Sequence, residues 1–115
     1  MKDKSVKNEL ENQVNSLLEN LSRDKREYER KPFDLGDWLN ENVLEIKREQ
    51  SLVEGKWETN KYILVFNYGG PYIEISTNGS VYACWVEEKI EKRISGDALD
   101  FLKAVEEYLL ELEGA

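Results

Sequence analysis

Residues 61–86, with the sequence KYILVFNYGGPYIEISTNGSVYACWV, constrain the fold of this chain more than any other segment. They form three runs rich in β-branched and aromatic side chains, separated by two groups of turn residues. In the first group, Gly69 and Gly70 permit positive φ and Pro71 donates no hydrogen bond. In the second, Asn78-Gly79 is the dipeptide most typical of a tight β-hairpin. The segment therefore predicts β-strands joined by short turns.

The alternation of apolar and polar residues extends this prediction to four strands. The expected ranges are Val43–Val53, Trp57–Asn67, Tyr72–Ser76 and Val81–Ile90. The second range contains YILVF, which is apolar on both faces and typical of a central strand. Because hairpin-length connections favour neighbours in chain order, the sheet is predicted to be an antiparallel meander ordered 1-2-3-4.

Residues 5–29 carry apolar side chains at the three- and four-residue spacing of a helix. The apolar stripe is narrow, so the helix either lies across its own domain or pairs with a second copy, and both alternatives stay open. Lys31-Pro32 ends the helix. The candidate self-association residues are Leu10, Val14, Leu17 and Leu21.

Two further helices complete the predicted fold. Asp37 is expected to cap a short helix, and Ser95 or Asp97 to open a C-terminal helix whose broad apolar side covers one face of the sheet. The fold class is therefore α+β: a four-stranded antiparallel meander with a long N-terminal helix and a C-terminal helix packed on the sheet. Residues 1–30 are the N-terminal amphipathic helix, and residues 31–115 are the α+β domain, a single globular unit.

Composition limits the functions that the chain can have. Its 115 residues include 24 acidic and 16 basic side chains, for a net charge of −8, which argues against nucleic-acid binding. The absence of His excludes Ser-His and Cys-His catalysis within one chain. The excess negative charge either keeps the surface hydrated or forms an acidic face for a basic partner.

Two groups of carboxylates have the residue types of metal sites, but neither has a matching spacing. The first group consists of Asp34, Asp37 and Glu41, which fit no EF-hand loop, so capping and solvation are expected instead. The second group consists of Glu87 and Lys89, with Glu74 on the neighbouring strand. It has the residue types of a metal-dependent nuclease site, but this combination is common by chance at a solvated strand end. No catalytic, cofactor-binding or metal-binding residue is assigned, and no cofactor is expected.

Cys84 is the single cysteine, so no intrachain disulfide can form, which fits a reducing compartment. No neighbouring cation in the sequence activates its thiol, and a small buried core residue is expected. The chain has no long apolar run, so the protein is expected to be cytoplasmic and not membrane-embedded.

Seven of the twelve aromatic side chains lie on the predicted strands and their turns. Half of them could fill the core, which would leave aromatic rings on the second face of the sheet. Tyr and Trp are enriched where proteins bind one another, so core packing and partner binding both stay open. The candidate partner-binding residues are Trp57, Tyr68, Tyr72, Tyr82 and Trp85.

The segment LVFNYGGPYIEISTNGSVYACW resembles a scattered group of small uncharacterised proteins encoded in prophages, plasmids and archaeal genomes. The shared pattern is an apolar strand, a G-G-P turn, a short strand and an aromatic-bearing strand, at Gly69, Gly70, Pro71, Ile73, Ile75 and Trp85. The resemblance covers about a quarter of the chain and implies a mobile-element or accessory protein. The resemblance assigns no functional residue to this chain.

These observations predict a small, acidic, non-enzymatic interaction protein that binds another protein or its own copy. One form of this hypothesis is an inhibitor that occupies a basic, nucleic-acid-binding groove. The alternative is an enzyme or small-ligand-binding protein with a pocket between sheet and helix, near Tyr68, Tyr72 and Trp85.

Overall fold

The computed structural model describes residues 4–114 of the chain. Three helices and five strands follow one another along the sequence. The helices are α1 (Lys4–Arg30), α2 (Leu35–Asn42) and α3 (Gly96–Gly114). The strands are β1 (Glu45–Val53), β2 (Lys56–Asn67), β3 (Tyr72–Ser76), β4 (Ser80–Trp85) and β5 (Glu88–Arg93). The fold is α+β, as the sequence predicts.

The five strands form one sheet in the order β1-β2-β3-β4-β5, and every neighbouring pair is antiparallel. The meander is thus confirmed, with one strand more than expected. The predicted strand Val81–Ile90 is in fact two strands, because the chain turns back at Val86 and Glu87. No Gly, Pro or Asn marks this turn, and Val86 adopts a φ of 57° that β-branched residues rarely take.

All three helices contribute to a single hydrophobic core on one side of the sheet, which we call the helix face. In α1, the side chains of Leu10, Val14 and Leu21 are buried, and Leu17 packs against the same cluster. The helix therefore lies across its own domain, which is the first of the two predicted alternatives. The four candidate self-association residues are used within the chain and are not free on its surface.

The C-terminal helix supplies the centre of this core, as predicted. Phe101, Leu102 and Val105 are fully buried and belong to the same cluster as Leu64 and Ile75 of the sheet. At the end of the helix, Glu113 pairs with Arg48 of β1 and accepts a hydrogen bond from Thr59 of β2 at 3.2 Å. These contacts fix α3 along the helix face.

The short helix α2 is capped by Asp34 and not by Asp37. The Asp34 side chain accepts a hydrogen bond from the backbone N–H of Asp37 at 3.0 Å, which satisfies a free donor of the first turn. Trp38 of α2 donates from Nε1 to Asp24 of α1 at 2.9 Å and packs edge-on against Phe101. The expected short helix is confirmed, but it begins two residues earlier than its predicted cap.

None of the helices in the described range combines the length and apolar character needed to cross a bilayer.

Candidate protein-binding surface

The second side of the sheet, which we call the open face, is not covered by any element within residues 4–114. Side chains alternate between the two faces of a strand, so the register assigns each residue to one of them. Leu64, Ile75 and Val81 share the helix face, and their sequence neighbours Val65, Glu74 and Tyr82 share the open face. A sheet with only one face packed on a core is normal for antiparallel strands.

One row of side chains crosses the open face at right angles to the strands. The register pairs Glu45 with Val65, Val65 with Glu74, Glu74 with Tyr82, and Tyr82 with Glu91. Carboxylates therefore occupy β1, β3 and β5 at the same level, with an apolar and an aromatic side chain between them. We call this set the acidic row.

A second row lies two residues along each strand from the first. It places Lys47 opposite Ile63 and Ile63 opposite Ser76, while Ser80 of the next strand is opposite Arg93. Ser76 and Ser80 meet at the β3–β4 turn, where the Ser80 N–H donates to Ser76 Oγ at 3.2 Å. We call this set the basic row, because a cation stands at each edge of the sheet.

Two tyrosines beside the acidic row hold two of its carboxylates in place, and one of them also contacts Tyr82 within the row. The hydroxyl of Tyr68 donates to Glu45 at 2.7 Å, and that of Tyr72 donates to Glu74 at 3.3 Å. The rings of Tyr72 and Tyr82 meet edge to face, with centroids 6.3 Å apart. Such contacts restrict the rotamers of side chains on an exposed surface.

The environment keeps these phenols protonated. The hydrogen bond to Glu45 raises the pKa of Tyr68, burial raises the pKa of Tyr72, and interaction with Cys84 raises the pKa of Tyr82. A tyrosine is already neutral at neutral pH, so these shifts extend the range in which all three act as hydrogen-bond donors to more alkaline pH. No ion pair within residues 4–114 neutralises Glu45, Glu74 or Glu91.

The charges of the open face balance. Its carboxylates are Glu45, Glu49, Glu58, Glu74 and Glu91, and its cations are Lys47, Lys56, Lys61, Lys89 and Arg93. One pair is closed within the face, since Lys61 Nζ lies 3.6 Å from Glu49. The net charge of −8 is therefore carried elsewhere on the molecule, and the open face is not a uniformly acidic surface.

The five candidate partner-binding residues divide between the two faces. Tyr68, Tyr72 and Tyr82 come together on the open face, as described above. Trp85 instead packs against the core on the helix face, with its Nε1 3.8 Å from the position that a Cβ on Gly70 would take. Trp57 is 67% exposed and stands opposite Leu52 at the end of the β1–β2 hairpin, also on the helix face.

This division corrects the pocket expected near Tyr68, Tyr72 and Trp85. Tyr72 is opposite Cys84 in the register, and Trp85 follows Cys84 directly, so Tyr72 and Trp85 lie on opposite sides of the sheet. A pocket between the sheet and the helices cannot be lined by both. The register also moves Cys84 from its expected place in the core to a half-buried position on the open face.

Within residues 4–114, the structure does not bring the two carboxylate groups of the sequence together as sets of metal ligands. Asp34, Asp37 and Glu41 line an open groove of about 430 Å³ between α1 and α2, where Asp34 acts as the helix cap. No three His, Cys, Asp or Glu side chains in the described part of the chain converge in a way that would hold a metal ion. Glu87 lies in the β4–β5 turn, outside both strands, so it does not share a strand face with Lys89.

The charged residues of the two rows could not be found from the sequence alone. Glu45, Lys47, Glu91 and Arg93 belong to ordinary mixed-charge segments, and only the strand register places them in line. The Asn78-Gly79 turn does not supply the pairing of Glu74 with Tyr82 either. A two-residue loop at Asn78-Gly79 would place Glu74 opposite Ala83, whereas the loop of residues 77–79 places Glu74 opposite Tyr82.

Comparison of this chain with known protein families, with curated proteins and with solved structures found no match. Its function must therefore be argued from its own surface.

Proposed function

We propose that this chain is a small, non-enzymatic protein-binding protein and that the open face is its binding surface. The observation that carries the proposal is the cluster of Tyr68, Tyr72 and Tyr82 within and beside the acidic row, on a face that no described element covers. Tyrosine is enriched at interface hot spots because its ring supplies apolar area and its hydroxyl a hydrogen bond.

The arrangement of this cluster favours binding over simple solvation. Tyr68 and Tyr72 are each tied to a carboxylate, and Tyr72 is also in contact with the ring of Tyr82. A partner would therefore meet side chains that are already ordered, and little conformational entropy would be lost on binding. The rigid sheet beneath them adds to this ordering.

The balanced charge of the open face favours a partner of mixed charge over a basic nucleic-acid-binding groove. A strongly basic surface would be attracted by the acidic row but repelled by Lys47, Lys89 and Arg93. We therefore propose that the open face binds another protein, without proposing that it inhibits a nucleic-acid-binding groove. We also propose a cytoplasmic location, because a free cysteine on the binding surface suits a reducing compartment.

The test is site-specific photo-crosslinking in the producing cell, with a benzophenone amino acid in place of Tyr82. We expect one discrete adduct whose yield falls about tenfold when Tyr72→Ala is added, since that change removes about 1.4 kcal/mol or more of binding energy. The matched control carries the crosslinker at Lys103, an exposed position on α3. Equal adduct formation at positions 82 and 103, or none at position 82, would overturn the proposal.

A further inference from the structure

We infer that the partner on the open face is a second copy of this chain. The inference rests on the proposed function, since it names the partner of the same surface. In the geometry that we propose, the two sheets stack face to face. A two-fold axis lies in the interface, perpendicular to the strands and midway between the acidic and basic rows. Each strand then lies antiparallel to its own equivalent in the second copy.

This geometry sets the acidic row of each copy against the basic row of the other. On the first edge strand, Glu45 faces Lys47 of the second copy, because the two residues lie on either side of the axis. On the opposite edge strand, Glu91 faces Arg93 of the second copy in the same way. The symmetry repeats both pairs, so four intermolecular ion pairs form.

The central strands are matched as well. Tyr82 faces Ser80 of the second copy, so that two hydroxyls meet on β4. Glu74 faces Ser76, which is buried and donates its hydroxyl to Asn78 of its own chain, so this pair adds no bond between the copies. On β2, Ile63 and Val65 face one another; Val65 is already fully buried by its neighbours, which leaves half-buried Ile63 as the apolar contact near the axis. Four of the five strands thus present a chemically compatible pair, and the pair on β3 opposes no like charges.

A different orientation of the second copy, or a different kind of partner, fits the two rows less well. If the two-fold axis ran parallel to the strands, Glu45 would face Glu91 and like charges would oppose each other. A uniformly basic partner would meet a cation at both ends of the basic row. The face is self-complementary only in the geometry described, since that geometry alone pairs opposite charges on both edge strands.

The pairing of the acidic row with the basic row is compatible with the way in which two sheets pack. Stacked sheets cross at about 30° because each is twisted, which displaces the edge strands more than the centre. The edge positions carry Glu, Lys and Arg, whose long side chains can span the displacement, and the short Ser side chains lie on the inner strands β3 and β4. The face is about five strands wide and about five residues long, so we expect a weak dimer that forms at micromolar or higher concentration.

The test uses charge reversal on β5, measured by sedimentation over protein concentrations from about 1 to 500 μM, where a dimer of this size should form. Glu91 and Arg93 are both exposed. We expect Glu91→Arg to weaken the dimer about tenfold, because the introduced arginine would face Arg93 of the second copy, and Arg93→Glu to weaken it similarly. The double variant exchanges the two charges and should restore the dissociation constant to within about threefold.

The controls separate this pairing from other effects. The two single changes shift the net charge in opposite directions, so a general charge effect cannot weaken both. Lys103→Glu on α3 changes the charge as much as Arg93→Glu does, and we expect it to leave the dimer unchanged. Arg93 also donates to Ser80 and to the Asn78 carbonyl of its own chain. The double variant also lacks these two hydrogen bonds. If it restores the dissociation constant, their loss cannot be the reason why Arg93→Glu weakens the dimer.

A wild-type chain that stays monomeric at every concentration, or a dimer that none of the reversals weakens, would overturn this inference. The photo-crosslinking experiment then decides whether the proposed function fails as well. An adduct at position 82 with a different protein would keep the open face as a binding surface while excluding the second copy. The absence of any adduct would overturn both.

Discussion

At the residue scale, Val86 is the position where local backbone preference and fold conflict most clearly. It has a φ of 57° and is 80% exposed at the tip of the β4–β5 hairpin. A β-branched side chain in the left-handed region costs about 1–2 kcal/mol, and an exposed valine recovers little of this by packing. The fold accepts this cost because the turn lets β5 pair with β4 along its whole length.

Replacing Val86 with glycine should therefore stabilise the protein. We expect Val86→Gly to raise the free energy of unfolding by about 0.5–1 kcal/mol, since relief of the strain exceeds the entropy that glycine adds to the unfolded chain. Urea denaturation measures the change. Glu87→Gly is the matched control, because Glu87 has no positive φ to relieve, and it should destabilise. A destabilising effect of both changes would contradict this account of the turn.

At the element scale, Thr77 connects three parts of the fold through one buried hydroxyl. Its Oγ1 accepts from the Tyr62 N–H of β2 at 3.0 Å and donates to Glu106 of α3 at 2.6 Å. Its own N–H donates to the Tyr62 carbonyl at 2.9 Å. The β3–β4 turn is thereby fixed both to the central strand and to the C-terminal helix.

Thr77→Val keeps the shape of this side chain but removes both hydroxyl bonds. We expect a loss of about 1–3 kcal/mol in unfolding free energy, because the Tyr62 N–H would be left without a partner in a buried site. Thr77→Ser retains the hydroxyl and should be milder. Thermal and urea unfolding of the two variants gives the comparison, and a serine variant as unstable as the valine variant would refute the role given to the hydroxyl.

How far the elements follow from the sequence depends on whether a local signal exists. The strand Tyr72–Ser76 has the range predicted for it, because Gly-Gly-Pro and Asn-Gly mark its two ends. The break at Val86 carries no such signal, so the sequence does not predict it. The narrow apolar stripe of α1 fits both docking and pairing, and the choice between them depends on tertiary packing that the stripe does not encode.

The residues of the open face also divide into those that a local sequence signal predicts and those that it does not. The clustering of tyrosines can be predicted in part, because Tyr68, Tyr72 and Tyr82 lie close to the two turns of the segment. The face taken by Trp85 is not predictable without the strand register, and neither is the alignment of Glu45, Glu74 and Glu91 across three strands. Register depends on contacts between distant segments, so a single sequence constrains it only near tight turns.

At the scale of the whole molecule, Tyr62 links stability to alkaline pH. Burial, reinforced by the nearby Glu113 carboxylate, raises the pKa of Tyr62 from 10.0 to about 12. The neutral phenol is therefore favoured in the folded protein. Its contribution to stability is complete below pH 10 and is lost as the pH rises from 10 towards about 12. No hydrogen bond of normal geometry reaches the hydroxyl from the described residues.

Tyr62→Phe should remove this part of the pH dependence. Between pH 8 and pH 11 the wild type should lose roughly 1.4 kcal/mol more unfolding free energy than the variant, because the unfolded tyrosine ionises first. At pH 8 we expect little difference, since the phenylalanine gives up no hydrogen bond. Urea titrations monitored by tryptophan fluorescence at both pH values supply the numbers. Parallel losses in the two proteins would show that Tyr62 ionises normally.

The composition of the last strand has a consequence for how the molecule behaves when it is concentrated. β5 is an outer strand of the sheet, and all but one of its six residues are charged: Glu88, Lys89, Glu91, Lys92 and Arg93. Such a border resists the addition of further strands, because a new neighbour would have to bring its own backbone against a line of hydrated side chains. Filaments that grow by the addition of strands at this edge of the sheet are therefore not expected.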